Sequence, residues 1–158
     1  MDKLTTCLWF DYQAEEAVRF YMTVFKDLVI GETLRYGKDA PGKEGEVLTV
    51  SFTLFGQEFI ALNGGAVYQF TPATSFLVTC KDQEEIDRYW EALSTGGSEM
   101  ECGWVTDRFG VTWQIVPEIL FNMVNDKDPQ KSYRATQAML KMVKLDIAKL
   151  QEAYENSD

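Results

Sequence analysis

From Leu4 to Phe10 apolar and polar residues alternate, with Leu4, Leu8 and Phe10 on one face, and this predicts a strand. The period then changes. Ala14, Ala17, Val18, Tyr21 and Phe25 recur three and four apart, which predicts an amphipathic helix over residues 13–25. Glu15 and Glu16 fall in its first turn, where the helix dipole favours negative charge. A strand is expected near residues 29–36, followed by a loop rich in Gly, Pro and charge. Residues 47–55 predict a strong strand, with Leu48, Val50, Phe52 and Leu54 on one face and Thr49, Ser51 and Thr53 on the other. Phe55-Gly56 turns into a further strand over 58–62, and Asn63-Gly64-Gly65 closes the unit.

The opening pattern occurs twice. The segment from Thr6 to Tyr21 aligns without a gap on the segment from Ser75 to Trp90, so that Glu15-Glu16 fall on Glu84-Glu85 and Arg19 on Arg88. In the second copy Asp82 and Glu85 read as a capping box, Ile86, Tyr89, Trp90 and Leu93 form the apolar stripe, and Gly96-Gly97 ends the helix. The ending recurs as well, with Phe109-Gly110 leading into the last strand as Phe55-Gly56 does. Two β-α-β-β-β modules follow, a duplication whose halves are expected to enclose a site in a cleft between them.

Beyond Pro117 the pattern is helical. Asp128-Pro129 reads as an N-cap followed by proline at the first helical position. Leu140, Val143, Ile147, Leu150 and Tyr154 form one stripe, and Ala135, Ala138, Met139, Met142 and Leu145 a second. A helix apolar on two faces must bury both, against the body or a second subunit. Asp146 offers a start for a separate final helix. The expected organisation is residues 1–116 as paired modules (about 4–65 and 74–116) and 117–158 as a helical extension of the same domain.

The 158 residues carry a net charge of −10, with 15 basic and 25 acidic side chains. Nearly all of that excess lies in residues 1–116, a body that repels phosphate backbones and anionic lipid; no nucleic-acid or membrane partner is expected. No apolar run approaches the roughly 18 residues of a membrane span, and no signal-peptide pattern opens the chain. Three cysteines, an odd count without Cys-x-x-Cys spacing, suit reduced thiols and a cytoplasmic location. The chain contains no histidine, so Ser-His and Cys-His nucleophile pairs are excluded.

Several motifs in order resemble one family: Thr-Thr-Cys-Leu-Trp-Phe-Asp (5–11), Val-Leu-Thr-Val-Ser-Phe (47–52), Ala-Leu-Asn-Gly-Gly (61–65), Cys-Gly-Trp (102–104), Asp-Arg-Phe-Gly-x-x-Trp-Gln (107–114) and Ala-Met-Leu-Lys-Met (138–142). They look like the PhnB-like (demethylubiquinone methyltransferase-like) branch of the vicinal oxygen chelate, or glyoxalase/bleomycin resistance, superfamily. The resemblance implies an α+β fold of tandem βαβββ modules forming a curved mixed sheet, with the C-terminal helices added. It also implies a homodimer, since such proteins commonly pair modules between chains.

Superfamily enzymes hold a divalent metal through His or Glu on the first and last strands of each module. The matching positions here are Thr6, Ser75, Gln114 and Ile60 (Ala61 if the register slips by one). None supplies negative charge, so neither a metal nor another cofactor is expected. Methyl transfer from S-adenosylmethionine on an open parallel sheet would need a glycine-rich strand-to-helix turn, and neither Gly64-Gly65 nor Gly96-Gly97 opens a helix.

The candidate ligand-binding residues are Thr6, Ser51, Asn63, Ser75, Trp104, Arg108 and Gln114: hydroxyls, amides and an aromatic beside one arginine. Arg108 is a candidate for holding an anionic group. Three functions stay open. The first is metal-independent binding of a small molecule in the cleft, the second an enzyme using the same cleft with non-standard or no metal. The third is a structural dimer whose cleft is filled by its own side chains.

Overall fold

The structure is a computed structural model that describes residues 2–156; Met1, Ser157 and Asp158, the outer ends of the two expected segments, lie outside the described residues. The chain divides into two units, Met1–Phe70 and Thr71–Asp158.

The first unit runs β1 (Thr6–Phe10), α1 (Ala14–Val24), β2 (Val29–Arg35), β3 (Val47–Leu54) and β4 (Gln57–Asn63). Its sheet has the order β1-β4-β3-β2, with β1 parallel to β4 and the other pairs antiparallel. The period-two pattern separates the faces. Leu8, Phe10, Val50, Phe52, Leu54, Phe59 and Ala61 are buried, as are Ala14, Ala17, Val18 and Tyr21 on α1 and Phe25 just beyond it. Phe52 and Phe59 stack with centroids 5.0 Å apart. Each such side chain contributes about 1.5–3 kcal/mol by leaving water. Leu4, expected on the buried face, precedes the strand and is exposed.

The second unit runs β5 (Ser75–Cys80), α2 (Gln83–Ser94), β6 (Ser98–Glu99), β7 (Trp104–Thr106) and β8 (Thr112–Pro117), in the order β5-β8-β7-β6. The α+β architecture of tandem βαβββ modules is thus present, each module building a mixed four-stranded sheet. Asp82 caps α2 by accepting from the Glu85 amide, while Glu85 accepts from the Lys81 amide.

The two copies differ by one residue where strand meets helix. Asp11, Tyr12 and Gln13 separate β1 from α1; only Lys81 and Asp82 separate β5 from α2. The extra residue is absorbed by Tyr12, whose φ of 59° lies in the left-handed region, a conformation that costs a non-glycine residue on the order of 1 kcal/mol. The gapless alignment therefore holds for the helices and is displaced by one for the strands. Cys7 pairs with Ile60 as Leu77 pairs with Gln114. Ile60 is the counterpart of Gln114, as the Phe-Gly turns indicate, but the counterpart of Ser75 is Thr5 rather than Thr6.

The tail forms α3 (Glu118–Val124), α4 (Pro129–Leu140) and α5 (Ile147–Glu155), capped at Asp128 and Asp146 as their sequences predict. The two continuous stripes do not survive. Between α4 and α5 the chain turns and bends, and the carbonyls of Met142 and Val143 accept from the amides of Cys102 and Gly103. Leu140 and Val143 are exposed, whereas Leu145 and Leu150 are fully buried with Val116, Leu120, Met123 and Ala135. Gly103 is required here: with φ of 81°, a Cβ would meet the Ile115 carbonyl oxygen at 2.8 Å and Leu145 at 3.0 Å.

Candidate functional site

On the face of the first sheet opposite α1 lies a cavity of about 420 Å³. Thr49, Ser51 and Thr53 line it from β3, Glu58 and Ile60 from β4, Gly31, Glu32 and Leu34 from β2, and Thr5 from the residue before β1. The hydroxyl row lies there because Val50, Phe52 and Leu54 take the opposite phase of the strand and pack beneath α1.

Ser51 has a defined job at this wall. Its Oγ accepts from the Glu32 amide at 2.7 Å and donates to the Glu32 carbonyl at 3.2 Å. The β2–β3 ladder is irregular between Ile30 and Thr33, so Ser51 supplies the hydrogen bonds that the shifted strand has lost. Gly31 permits the approach, since a Cβ there would sit about 2.5 Å from Ser51 Oγ. Glu58 accepts from the Asp2 amide and, at 3.3 Å, from Thr5 Oγ1. The Asp2 amide first, then the positive charge of the chain's N-terminus and the Thr5 hydroxyl, hold the Glu58 carboxyl below its ordinary range, so it is ionised at neutral pH.

The equivalent face of the second sheet carries different chemistry. Gln114 Nε2 donates to Ser75 Oγ at 2.8 Å, and Trp104 stands across from Gln114 in the β7–β8 ladder. Thr106 and Thr112 share a hydrogen bond of 3.3 Å, and Thr112 is buried. Val116, further along the same face, packs into the tail cluster. These polar groups satisfy one another and carry no charge.

The expected site residues thus separate into groups. Ser51 lines the cavity; Ser75, Trp104 and Gln114 come together on the second sheet. Thr6 alternates with the buried Leu8 and Phe10, and Thr5 takes its place at the cavity. Asn63 is buried and serves the fold. Its Oδ1 accepts from the Ala14 amide at 2.9 Å, capping α1 where Gln13 does not, and its Nδ2 donates to Glu15 and to the Val47 carbonyl. Arg108 donates to the Thr95 carbonyl at 3.2 Å, at the C-terminal end of α2. Its neighbour Asp107 is buried and accepts from Trp113 Nε1 and the amides of Phe109 and Val111, shaping the turn into β8.

Sequence reasoning missed Thr5, Glu32 and Glu58. The signal for Glu58 was available: it shares the phase of Ile60 on β4 and lies across from Thr53 in the β3–β4 ladder. Glu32 carried none, because the irregular β2 pairing decides where it falls.

The strand positions that hold metal in related folds are poor donors. Thr5 and Ser75 offer neutral hydroxyls, Gln114 an amide already bonded to Ser75, and Ile60 nothing. Among the described residues no group of three or more His, Cys, Asp or Glu is placed to hold a metal ion. Cys80 is buried, and desolvation first, with Glu85 and Asp82 nearby, pushes its thiol up to about 12. Burial raises the thiols of Cys7 and Cys102 as well, so no cysteine here is an activated nucleophile. The glycine pair after β4 packs on an indole: Trp9 Nε1 donates to the Gly65 carbonyl at 2.8 Å, and a Cβ on Gly64 would overlap the Trp9 ring. No helix among the described residues is long and apolar enough to cross a membrane.

Comparison with known proteins supplies the family. Residues 2–116 match the family model described as 3-demethylubiquinone-9 3-methyltransferase. Among solved structures, the PhnB protein from Bacillus cereus is 38% identical, with a TM-score of 0.67 over 73% of this chain and 99% of its own. A protein from Pseudomonas aeruginosa, PA1353, is 21% identical (TM-score 0.61, 75% of this chain and 98% of that one). The fosfomycin resistance protein FosX from Mesorhizobium loti is 14% identical (TM-score 0.52, 73% and 92%). The last two show the fold alone. No curated protein matches the chain. The three tail helices lie beyond the stretch that the family model matches. The chain belongs to the 3-demethylubiquinone-9 3-methyltransferase, or PhnB-like, family.

Proposed function

We propose that this protein binds a small molecule on the open face of its first sheet and does so without the metal common in the superfamily. The observation that carries this reading is the cavity of about 420 Å³, with hydrogen-bonding side chains from β2, β3 and β4 beside the apolar Leu34 and Ile60. That volume suits a ligand of modest size, and this mixture of a few polar groups on apolar walls is the usual make-up of such sites. The donor chemistry at Thr5, Ile60, Ser75 and Gln114 supports the metal-free part.

The reading includes a homodimer. The edge strand β2 exposes Val29, Ile30 and Leu34 along its whole length, an arrangement that invites cover by another chain. A single monomeric species in sedimentation equilibrium at tens of micromolar would remove this part. Three free thiols suit a reducing compartment such as the cytoplasm.

Protein purified without chelator provides the test. Native mass spectrometry is expected to show a copurifying organic molecule, and metal analysis to give substoichiometric Mn, Fe, Ni and Zn. One equivalent of any of these metals bound through the open face would overturn the metal-free reading and favour an enzyme with an unusual ligand set.

A further inference from the structure

Two carboxylates border the cavity in the first unit, and the described residues that line it include no lysine or arginine. Glu58 stands on β4 and Glu32 on the irregular stretch of β2, held by the two hydrogen bonds to Ser51. Between them lie threonine hydroxyls and the apolar side chains of Leu34 and Ile60. Among the described residues, one backbone amide and one hydroxyl donate to the Glu58 carboxylate, fewer than a carboxylate can accept. A ligand carrying negative charge would meet both glutamates along one face, and like charges repel. A compact cation gains there what an anion loses. Leu34 and Ile60 meanwhile offer apolar surface to the rest of the molecule.

Resting on the reading of this cavity as a ligand site, we infer that it takes an organic cation, an ammonium or amidinium group on an apolar body, with Glu58 and Glu32 as its counter-ions. The matched site on the second sheet, where Ser75 and Gln114 bond to each other, has no such charge. The two carboxylates therefore set the specificity of the first unit's cavity. Arg108 is not among the residues that line it.

Three probes of one size and different charge test the inference: 2-phenylethylammonium, 2-phenylethanol and 3-phenylpropionate, each titrated into the full chain and followed by backbone amide shifts. The ammonium probe is expected to move amides of residues 31–34, 49–53 and 58–60. It should bind about fivefold more tightly than the alcohol for each glutamate engaged, the upper end for a solvent-accessible ion pair. The carboxylate should bind most weakly. Glu58→Gln and Glu32→Gln are each expected to bring the ammonium probe towards the alcohol, and 0.5 M salt to do the same by screening. The isosteric changes are expected to leave the fold intact, which the unshifted remainder of the spectrum verifies. Equal binding of all three probes, or preference for the carboxylate, overturns the cation inference and leaves the cavity as a ligand site. Absence of any shift at these residues overturns both.

Discussion

In the first unit the helix after the opening strand takes its cap from Asn63, at the far end of β4; in the second, Asp82 caps the equivalent helix from the adjoining position. The sheet faces diverge in the same way. The first presents a cavity edged by Glu32 and Glu58, while the second pairs Gln114 with Ser75 and Thr106 with Thr112 and gives Val116 to the tail. One supersecondary plan has been turned to two ends. The first unit spends a buried side chain on its helix start and leaves open the face to which we assign the ligand. The second uses local capping and satisfies its face from within.

The largest effects should come from the two sites where this division is anchored. Leu145→Ala removes the residue that seats the tail on Gly103, and about 2–5 kcal/mol of stability should go with it. Hydrogen exchange should rise across α3–α5 and not across β1–β4; uniform loosening would contradict a tail that belongs to the second unit. Asn63→Ala should cost about 2–4 kcal/mol, since it removes a cap and strands the buried Ala14 amide and Val47 carbonyl. Asp82→Ala should cost only about 1 kcal/mol. Equal losses in urea unfolding would break the contrast between remote and local capping.

Much of this division is legible in the chain, and its failures have physical causes. Period gives β1, β3, β4 and the helices α1 and α2, because burial on one face imposes a strict alternation, and the repeat gives β5 and β8. The cap at Asp82 is local and readable; that at Asn63 depends on where β4 ends and is not. The repeat points to Thr6 where the fold places Thr5, because an alignment sees no backbone, whereas Tyr12 with positive φ stores one extra residue in the first connection. The tail stripes misled for a related reason. Helical spacing runs on through residues 141–146, yet their backbone bonds to Cys102 and Gly103 instead. Glu32 was out of reach because an irregular edge strand has no period to read.

Smaller effects sharpen the picture through pH. The hydroxyl of Tyr154 donates to Asp126 at 2.5 Å, which lowers the Asp126 pKa and raises that of Tyr154. Hydrogen bonds from Lys144 and Gln83 lower the Asp87 pKa as well. A depressed carboxylate stabilises above its unfolded pKa, near 4, and loses that contribution as pH falls through the lower folded value. A raised tyrosine stabilises below its unfolded pKa, near 10, and loses that contribution as pH rises through the higher folded value. The difference in urea midpoint between wild type and Asp126→Asn should therefore be small and steady near neutrality and close in acid. That for Tyr154→Phe should close in strong alkali. A gap insensitive to pH would show that this pair does not help hold the tail. Smallest in energy is the thiol contrast. Cys7, exposed on the first sheet, should react with a disulfide reagent in the native protein, and Cys80 only on unfolding.

The central claim, that the first sheet rather than the second offers the ligand face, is tested most directly by an amide-shift map of the full chain against a mixture of small neutral and cationic fragments. Shifts are expected at residues 31–34, 49–53 and 58–60, and they should vanish when Thr53→Trp fills the cavity. Shifts gathered instead at residues 75–79, 104–106 and 112–116, unaffected by that variant, would contradict the account.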